Sequence, residues 1–83
     1  MKNNDIITLL AVYYPIIKPD IVISTYPTKT GIHVCFKRVH TVRDHKEYAV
    51  IGYGLNLHRI DRNVQTKIKN YIINHDMMGG VLT

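Results

Sequence analysis

The stretch Thr30-Gly31-Ile32-His33-Val34-Cys35-Phe36-Lys37-Arg38 decides the fold of this 83-residue chain. A glycine suited to a turn precedes a run in which the side chains alternate in character. Alternation with a period of two is typical of a strand that buries one face. The run therefore predicts a strand over about Ile32–His40. Its inward residues are Ile32, Val34 and Phe36, and its outward residues are His33, Cys35 and Lys37.

Two further strands are predicted beside this one. Ile21–Tyr26 is rich in β-branched residues, and a loop of hairpin length over 27–31 joins it to the central strand. An exposed turn at Arg43–Lys46 leads to a third strand over about Glu47–Tyr53, where Gly52 and Gly54 end the sheet. The open face of that strand is expected to carry Glu47, Ala49, Ile51 and Tyr53. Short connections make all the pairings antiparallel.

One helix is predicted at each end of the chain. The first begins at Asn3 or Asn4 and runs to about Tyr14, because Pro15 cannot continue a helix. The second is capped by Asn56, with Asp61 as the competing cap, and Gly79-Gly80 ends it. Its apolar positions recur at steps of three and four residues. They are Leu57, Ile60, Val64, Ile68, Tyr71, Ile72 and His75.

Together these elements predict a single α+β domain over residues 1–83. The order is α-β-β-β-α, with a three-stranded antiparallel sheet and two helices packed on one face. The apolar residues of the first helix wrap more than one of its faces. That helix is therefore either covered on two sides by its own domain or packed on a partner, which makes it a candidate surface for a homo-oligomer.

The composition points to a basic protein of a reducing compartment. There are 11 Lys and Arg against 6 Asp and Glu, a formal net charge of +5, and one cysteine. A basic surface favours polyanions, although a charge of this size also serves solubility alone. The apolar stretch Ile6–Ile17 has about 12 residues, too few for a membrane span, and lacks a signal-peptide pattern. We therefore expect a cytoplasmic protein with no membrane partner.

Six residues are candidates for contact with nucleic-acid phosphates. They are Lys29, His33, Lys37, Arg59, Arg62 and Lys69. On the predicted second helix, spacings of three and four residues align His58, Arg62, Gln65 and Lys69. Such a row either follows a phosphate backbone or is an ordinary solvated helix face.

The sequence predicts neither a metal nor a cofactor, and no catalytic residue unless the protein is a ribonuclease. Histidine as a residue type suits proton transfer, which makes His33 a candidate acid or base, yet a lone strand histidine is more often structural or merely exposed. His33 and Cys35 supply two soft ligands, whereas a metal site needs three or four.

The element order and a few residues resemble the double-stranded RNA-binding domain. Gly31, His33 and Phe36 are similar to that family's loop glycine, loop histidine and inward phenylalanine, and Gly52 and Gly54 are similar to its glycine pair. The run Gly31-Ile32-His33-Val34-Cys35-Phe36 also resembles the Gly-Ser-His-x-x-Phe motif of HicA-type mRNA interferase toxins. That second resemblance implies an acid–base role for His33. The architecture is also similar to that of small phage anti-CRISPR proteins.

These observations favour a small non-catalytic module that contacts nucleic-acid phosphates through a basic surface. The first alternative is a phage or mobile-element inhibitor of the anti-CRISPR or anti-defence type that binds a host protein, such as a nucleic-acid-processing protein, or a protein–nucleic acid complex. The second alternative is a HicA-like ribonuclease that uses His33.

Overall fold

A computed structural model describes residues 3–79 and has the predicted α+β architecture. Along the chain, one helix precedes the four strands and a second helix follows them. The elements are α1 (Asn3–Tyr13), followed by one 3₁₀ turn (Tyr14–Ile16), then β1 (Ile21–Pro27), β2 (Gly31–Val42), β3 (His45–Val50), β4 (Leu55–His58) and α2 (Val64–Asn74). Gly80, which belongs to the predicted helix stop, lies outside the described residues.

Strand β2 is the centre of the sheet, and every pairing in the sheet is made to it. Strand β1 pairs antiparallel along one side, from Ile21 opposite Arg38 to Pro27 opposite Ile32. Strands β3 and β4 share the other side, β3 along Lys37–Val42 and β4 along Gly31–Val34. The prediction that the sheet ends at Gly52 and Gly54 is therefore wrong. The chain leaves the ladder over 51–54 and returns to it as β4.

The core lies between one face of the sheet and the two helices. Ile32, Val34 and Phe36 of β2 are buried, as the alternation predicts. Helix α1 contributes Ile6, Leu10 and Tyr13, and α2 contributes Val64, Ile68 and Ile72. Both helices thus cover the same face of the sheet, and the opposite face has no helix on it within residues 3–79.

Helix α1 has a second apolar side that the domain does not cover. Ile7 and Val12 are exposed, as is Tyr14 in the 3₁₀ turn that follows the helix, while Ile6 and Leu10 are buried. Association through this side of the helix stays a prediction. Neither α1 nor α2 is both long enough and apolar enough to cross a bilayer.

The predicted start of the second helix is wrong. Leu57 and His58 belong to β4, and Ile60, expected on the apolar stripe, is 89% exposed. The Asp61 carboxylate accepts hydrogen bonds from the His58 N–H and from Lys67 Nζ, both at 2.8 Å. The bond from Lys67, followed by that from His58, lowers the pKa of Asp61. Asp61 thus holds a turn before α2 and does not cap it, because the helix begins only after Asn63.

The predicted end of the second helix is also wrong, by about five residues. The Met77 N–H donates to the Ile72 carbonyl at 3.0 Å, and the Asp76 N–H donates to the Ile73 carbonyl at 3.2 Å. Asp76 has a φ of 52°. These bonds form a Schellman motif, with buried Met77 against buried Ile72. Asp76 occupies the left-handed position that usually holds glycine. The helix end predicted from Gly79 and Gly80 is therefore too late in the chain.

The turn between β2 and β3 is tighter than the predicted Arg43–Lys46. Val42 pairs with His45, so Arg43 and Asp44 alone form the turn, with φ values of 49° and 65°. Two positive φ values in a two-residue hairpin are the signature of a type I′ turn. The residues on either side of this turn, 40–50, are all exposed. The hairpin therefore extends beyond the helices as an arm.

The tight turn also reverses the predicted orientation of β3. Residues directly opposite in an antiparallel pair share a face. Val50 lies opposite Lys37 and Tyr48 lies opposite Val39, so Lys46, Tyr48 and Val50 share the open face with Lys37. The prediction that Glu47, Ala49 and Ile51 occupy that face is wrong. Ile51 packs against the core instead.

Replacing the turn pair by Arg43→Asn with Asp44→Gly should stabilise the protein by about 1 kcal/mol. Left-handed backbone costs most residues ~1–2 kcal/mol, and Asn-Gly suits a type I′ turn. Urea unfolding measures the change. Asp20→Gly, at a residue without positive φ, should lower stability. Equal or lower stability of the double variant would contradict the turn geometry.

Candidate functional site

The open face of the sheet carries residues from all four strands. The pairings assign to it Val22, Ser24, Tyr26, His33, Cys35, Lys37, Val39, Thr41, Lys46, Tyr48, Val50, Asn56 and His58. No carboxylate belongs to this set of described residues. The six acidic residues lie elsewhere, at positions 5, 20, 44, 47, 61 and 76. Lys37 and Lys46 therefore give the face a positive charge that no acidic neighbour on the same face offsets.

Two tyrosines stand at opposite corners of this face. Tyr26 on β1 is 50% exposed and Tyr48 on β3 is 56% exposed. Tyr26 lies opposite His33, and Tyr48 lies opposite Val39, six residues further along β2. At about 3.3 Å per residue, the cross-strand pair of Tyr26 and His33 is about 20 Å from the pair of Tyr48 and Val39. The face thus offers two well-separated aromatic surfaces with Lys37 between them.

His33 sits in the middle of a row that crosses three strands. Its ring centroid is 6.4 Å from that of Tyr26, and its Nδ1 is 2.5 Å from Oδ1 of Asn56 on β4. Its Nε2 lies beside Gly54, where an added Cβ would come within 2.8 Å of it. Neighbours on both sides therefore fix the ring within the sheet surface. It is not placed at the bottom of a cleft.

The end of the face beside the β1–β2 loop carries a second group of polar residues. Arg59 Nη2 donates to the Lys29 carbonyl at 2.7 Å, and the Arg59 N–H donates to the Thr30 carbonyl at 2.8 Å. Thr30 Oγ1 lies 3.0 Å from His58 Nδ1. These contacts tie the segment after β4 to the loop and bring Lys29 and Arg59 together. Thr30, His58, Arg59 and Ile60 line an open hollow of about 280 Å³.

The six predicted phosphate-contacting residues do not form one surface. His33 and Lys37 lie on the open face, and Lys29 and Arg59 lie at its loop end. Lys69 is on α2, across the sheet, and Arg62 is in the connection before α2. The predicted helical row of His58, Arg62, Gln65 and Lys69 is wrong, because the chain is a strand or a loop until Val64.

The segment 51–54 between β3 and β4 is a bulge held by a backbone bond to β2, in which the Ile51 N–H donates to the Phe36 carbonyl at 2.8 Å, and by the side chain of Tyr71. The Tyr71 hydroxyl donates to the Ile51 carbonyl at 2.8 Å and accepts from the Gly54 N–H at 3.1 Å. The Tyr71 ring stacks on Phe36, with centroids 5.0 Å apart, and on the ring of His75. Gly52 and Gly54 have φ values of 65° and 79°. The bulge thus carries the chain past Cys35, which is buried even though its strand position assigns it to the open face.

The bulge displays one tyrosine to solvent. Tyr53 is 99% exposed between the two glycines. The helical spacing predicts Tyr71 only as part of an apolar stripe and gives no sign of its role as the anchor. The Gly-x-Gly spacing is the one signal for a bulge in the sequence, although it equally predicts the end of the sheet.

No protein-family model matches the chain, and neither a curated protein nor a solved structure matches it. The resemblances to the double-stranded RNA-binding domain, to HicA-type toxins and to anti-CRISPR proteins therefore stay predictions. Within residues 3–79 no group of three or more His, Cys, Asp and Glu side chains is arranged to hold a metal ion. The function has to be inferred from the open face itself.

The two bulge glycines should differ in their tolerance of alanine. Both need left-handed backbone, which costs an alanine ~1–2 kcal/mol. At Gly54 an added Cβ would also come within 2.6 Å of the Val34 carbonyl oxygen, whereas at Gly52 its nearest neighbour is His75 Nε2 at 3.1 Å. The loss of stability in Gly54→Ala should therefore exceed the cost of the left-handed backbone by at least ~2 kcal/mol. Chemical unfolding of the two variants measures this, and equal losses would contradict the close packing at Gly54.

Tyr71 should make stability fall at alkaline pH. Burial is the main cause that raises the pKa of Tyr71 above its usual value of 10.0. A raised folded-state pKa contributes stability that is complete below pH 10 and is lost as the pH rises through the folded-state pKa. Urea unfolding from pH 9 to 12 should therefore show a shallower decline for Tyr71→Phe than for the wild type. Tyr53→Phe, at an exposed tyrosine, should follow the wild type, and parallel curves for all three proteins would refute this role.

Proposed function

We propose that this protein binds single-stranded nucleic acid across the open face of its sheet, as a small non-catalytic module. The observation that carries the proposal is a face without carboxylates that combines Tyr26 and Tyr48 with Lys37 and Lys46. Tyrosine rings stack on bases, and lysines contact phosphates. Lys29 and Arg59, at the loop end of the face, extend the charged path.

The separation of the two tyrosines favours a single strand over a duplex. Bases inside a duplex are stacked on each other and cannot stack on a flat protein surface, whereas unpaired bases can. Two aromatic sites about 20 Å apart suit a strand that crosses the sheet diagonally and stacks near each end. A site of ~4 nucleotides or slightly more agrees with the smallest sheet-based binders of single strands.

A protein partner is the second candidate, and one row of the face favours it. Val22 and Val50 lie on either side of Lys37, and they are 38% and 55% exposed. Apolar side chains in such a row suit a protein contact more than a phosphate backbone. An inhibitor that docks on a host nucleic-acid-processing protein would use this row, and its binding would depend less on salt.

Fluorescence anisotropy with labelled 12-nucleotide RNA and DNA strands tests the leading proposal. Each phosphate contact contributes ~0.7 to the slope of log affinity against log salt for single strands. Three or four contacts therefore predict a slope of about −2 to −3 between 0.05 and 0.5 M salt. An affinity that does not change with salt would count against the proposal. An affinity for a 12-base-pair duplex equal to that for the single strands would also count against it.

Paired variants locate the surface. Tyr48→Ala should weaken binding by roughly 5- to 150-fold, the equivalent of ~1–3 kcal/mol per stacked base, whereas Tyr14→Ala, at a tyrosine after α1, should not. Lys37→Gln should reduce the salt slope by ~0.7. Lys69→Gln makes the same charge change on α2 and should leave the slope unaltered. Equal effects of the two variants within either pair would exclude the open face as the binding surface.

A further inference from the structure

The two edges of the sheet differ in how they are protected. The β3–β4 edge carries Lys46 and Glu47, its second strand has four residues, and the bulge at 51–54 interrupts it. Charges, short strands and bulges are the devices that keep an edge from pairing with another chain. Strand β1 has seven residues and no charged side chain, and Pro27 at its end is its one protective residue.

The hydrogen bonds at both ends of β1 show which of its backbone groups face outward. The Val39 N–H donates to the Asp20 carbonyl, and the Thr28 N–H donates to the Gly31 carbonyl. Hydrogen-bonded pairs alternate along an antiparallel ladder, so the residues of β1 bonded to β2 are the even-numbered ones between these two ends. Ile23 and Thr25 therefore direct their N–H and C=O groups away from β2. Within residues 3–79 no strand pairs with that side.

The outward groups are placed symmetrically about Ser24. We propose that two copies of this chain join by antiparallel pairing of their β1 strands, with the two-fold axis at Ser24. Ile23 of each copy then lies opposite Thr25 of the other, and the two pairs exchange four backbone hydrogen bonds. On the open face, Val22 lies beside Tyr26 of the second copy, so two half-exposed side chains become neighbours across the interface.

Charge limits where two copies can meet, and β1 is an edge that adds no repulsion. The chain has a net charge of +5, so two copies repel each other over most of their surfaces. Strand β1 contains no lysine or arginine, and its pairing brings no cations face to face. A two-fold axis perpendicular to the sheet leaves both open faces on the same side. The dimer would therefore present one continuous surface of twice the area, whether or not that surface binds nucleic acid.

A cysteine on the proposed axis gives a test that depends on register. Ser24 would face its own copy as a non-hydrogen-bonded pair, with Cα atoms ~4.5 Å apart, which a disulfide spans. Ser24→Cys in a Cys35→Ala background, oxidised at ~200 µM, should give mostly covalent dimer on a non-reducing gel. Val22→Cys in the same background should give little, because Val22 lies opposite Tyr26. No cross-link from Ser24→Cys, or equal cross-linking from both, would overturn the proposal.

Sedimentation equilibrium tests the association without cysteines. A contact this small predicts a weak dimer, with Kd of about 10–100 µM. Nuclease treatment and 0.5 M salt exclude bridging by nucleic acid, so this result does not depend on the binding proposal. Thr25→Pro removes an outward N–H and no β1–β2 bond, and it should shift the protein to monomer. The exposed control Gln65→Ala should remain dimeric.

Circular dichroism shows whether Thr25→Pro is folded, and the cysteine pair decides the question if it is not. A wild-type protein that is monomeric at 200 µM would refute the pairing. A dimer that persists in folded Thr25→Pro would also refute it and would point to the exposed side of α1.

Discussion

The burial of one face of β2 is the constraint on which the rest of the structure depends. Ile32, Val34 and Phe36 fill the space between the sheet and both helices, and all are almost fully buried. Since neighbouring strand residues point in opposite directions, packing these three fixes His33, Cys35 and Lys37 on the other face. The core and the open face are thus two consequences of one alternation. A shift of β2 by one residue would exchange them.

Tyr71 links the core to the shape of the open face. Its ring packs between Phe36 and His75 while its hydroxyl bonds both ends of the bulge at 51–54. The bulge lets two short strands occupy one side of β2 in succession, and it leaves space for His33 beside Gly54. A single helical side chain therefore connects core packing with the placement of His33 and Asn56. Across the interrupted edge the Tyr71 hydroxyl bonds add to the backbone bond from the Ile51 N–H to the Phe36 carbonyl.

Much of this architecture was predictable from the sequence, because its strongest signals are local. The alternation in β2, the β-branched run in β1 and the helical spacing over Val64–Ile72 each indicate the element that forms. The region 55–63 was not predictable in the same way. Leu57 fits both a helical stripe and a buried strand position, and only the pairing with Ile32 decides between them. The register of β3 depended on a two-residue turn formed by Arg43 and Asp44, which lack the glycine that usually signals such a turn. For these two reasons the sequence predicts a helical row of cations that the structure does not contain, and it gives no signal that Tyr48 shares a face with Lys37.

The exposed arm formed by the ends of β2 and the whole of β3 has a consequence for how this protein can change over evolutionary time. None of the residues 40–50 is buried, so the core places no limit on the length of the arm. Insertions or deletions of two residues in each strand would preserve the alternation and lengthen or shorten the open face by one row. A change of one residue in each strand would turn the outer side chains over. Relatives of this chain should therefore vary in arm length in even steps, with the reach of the surface adjusted independently of the stability of the domain.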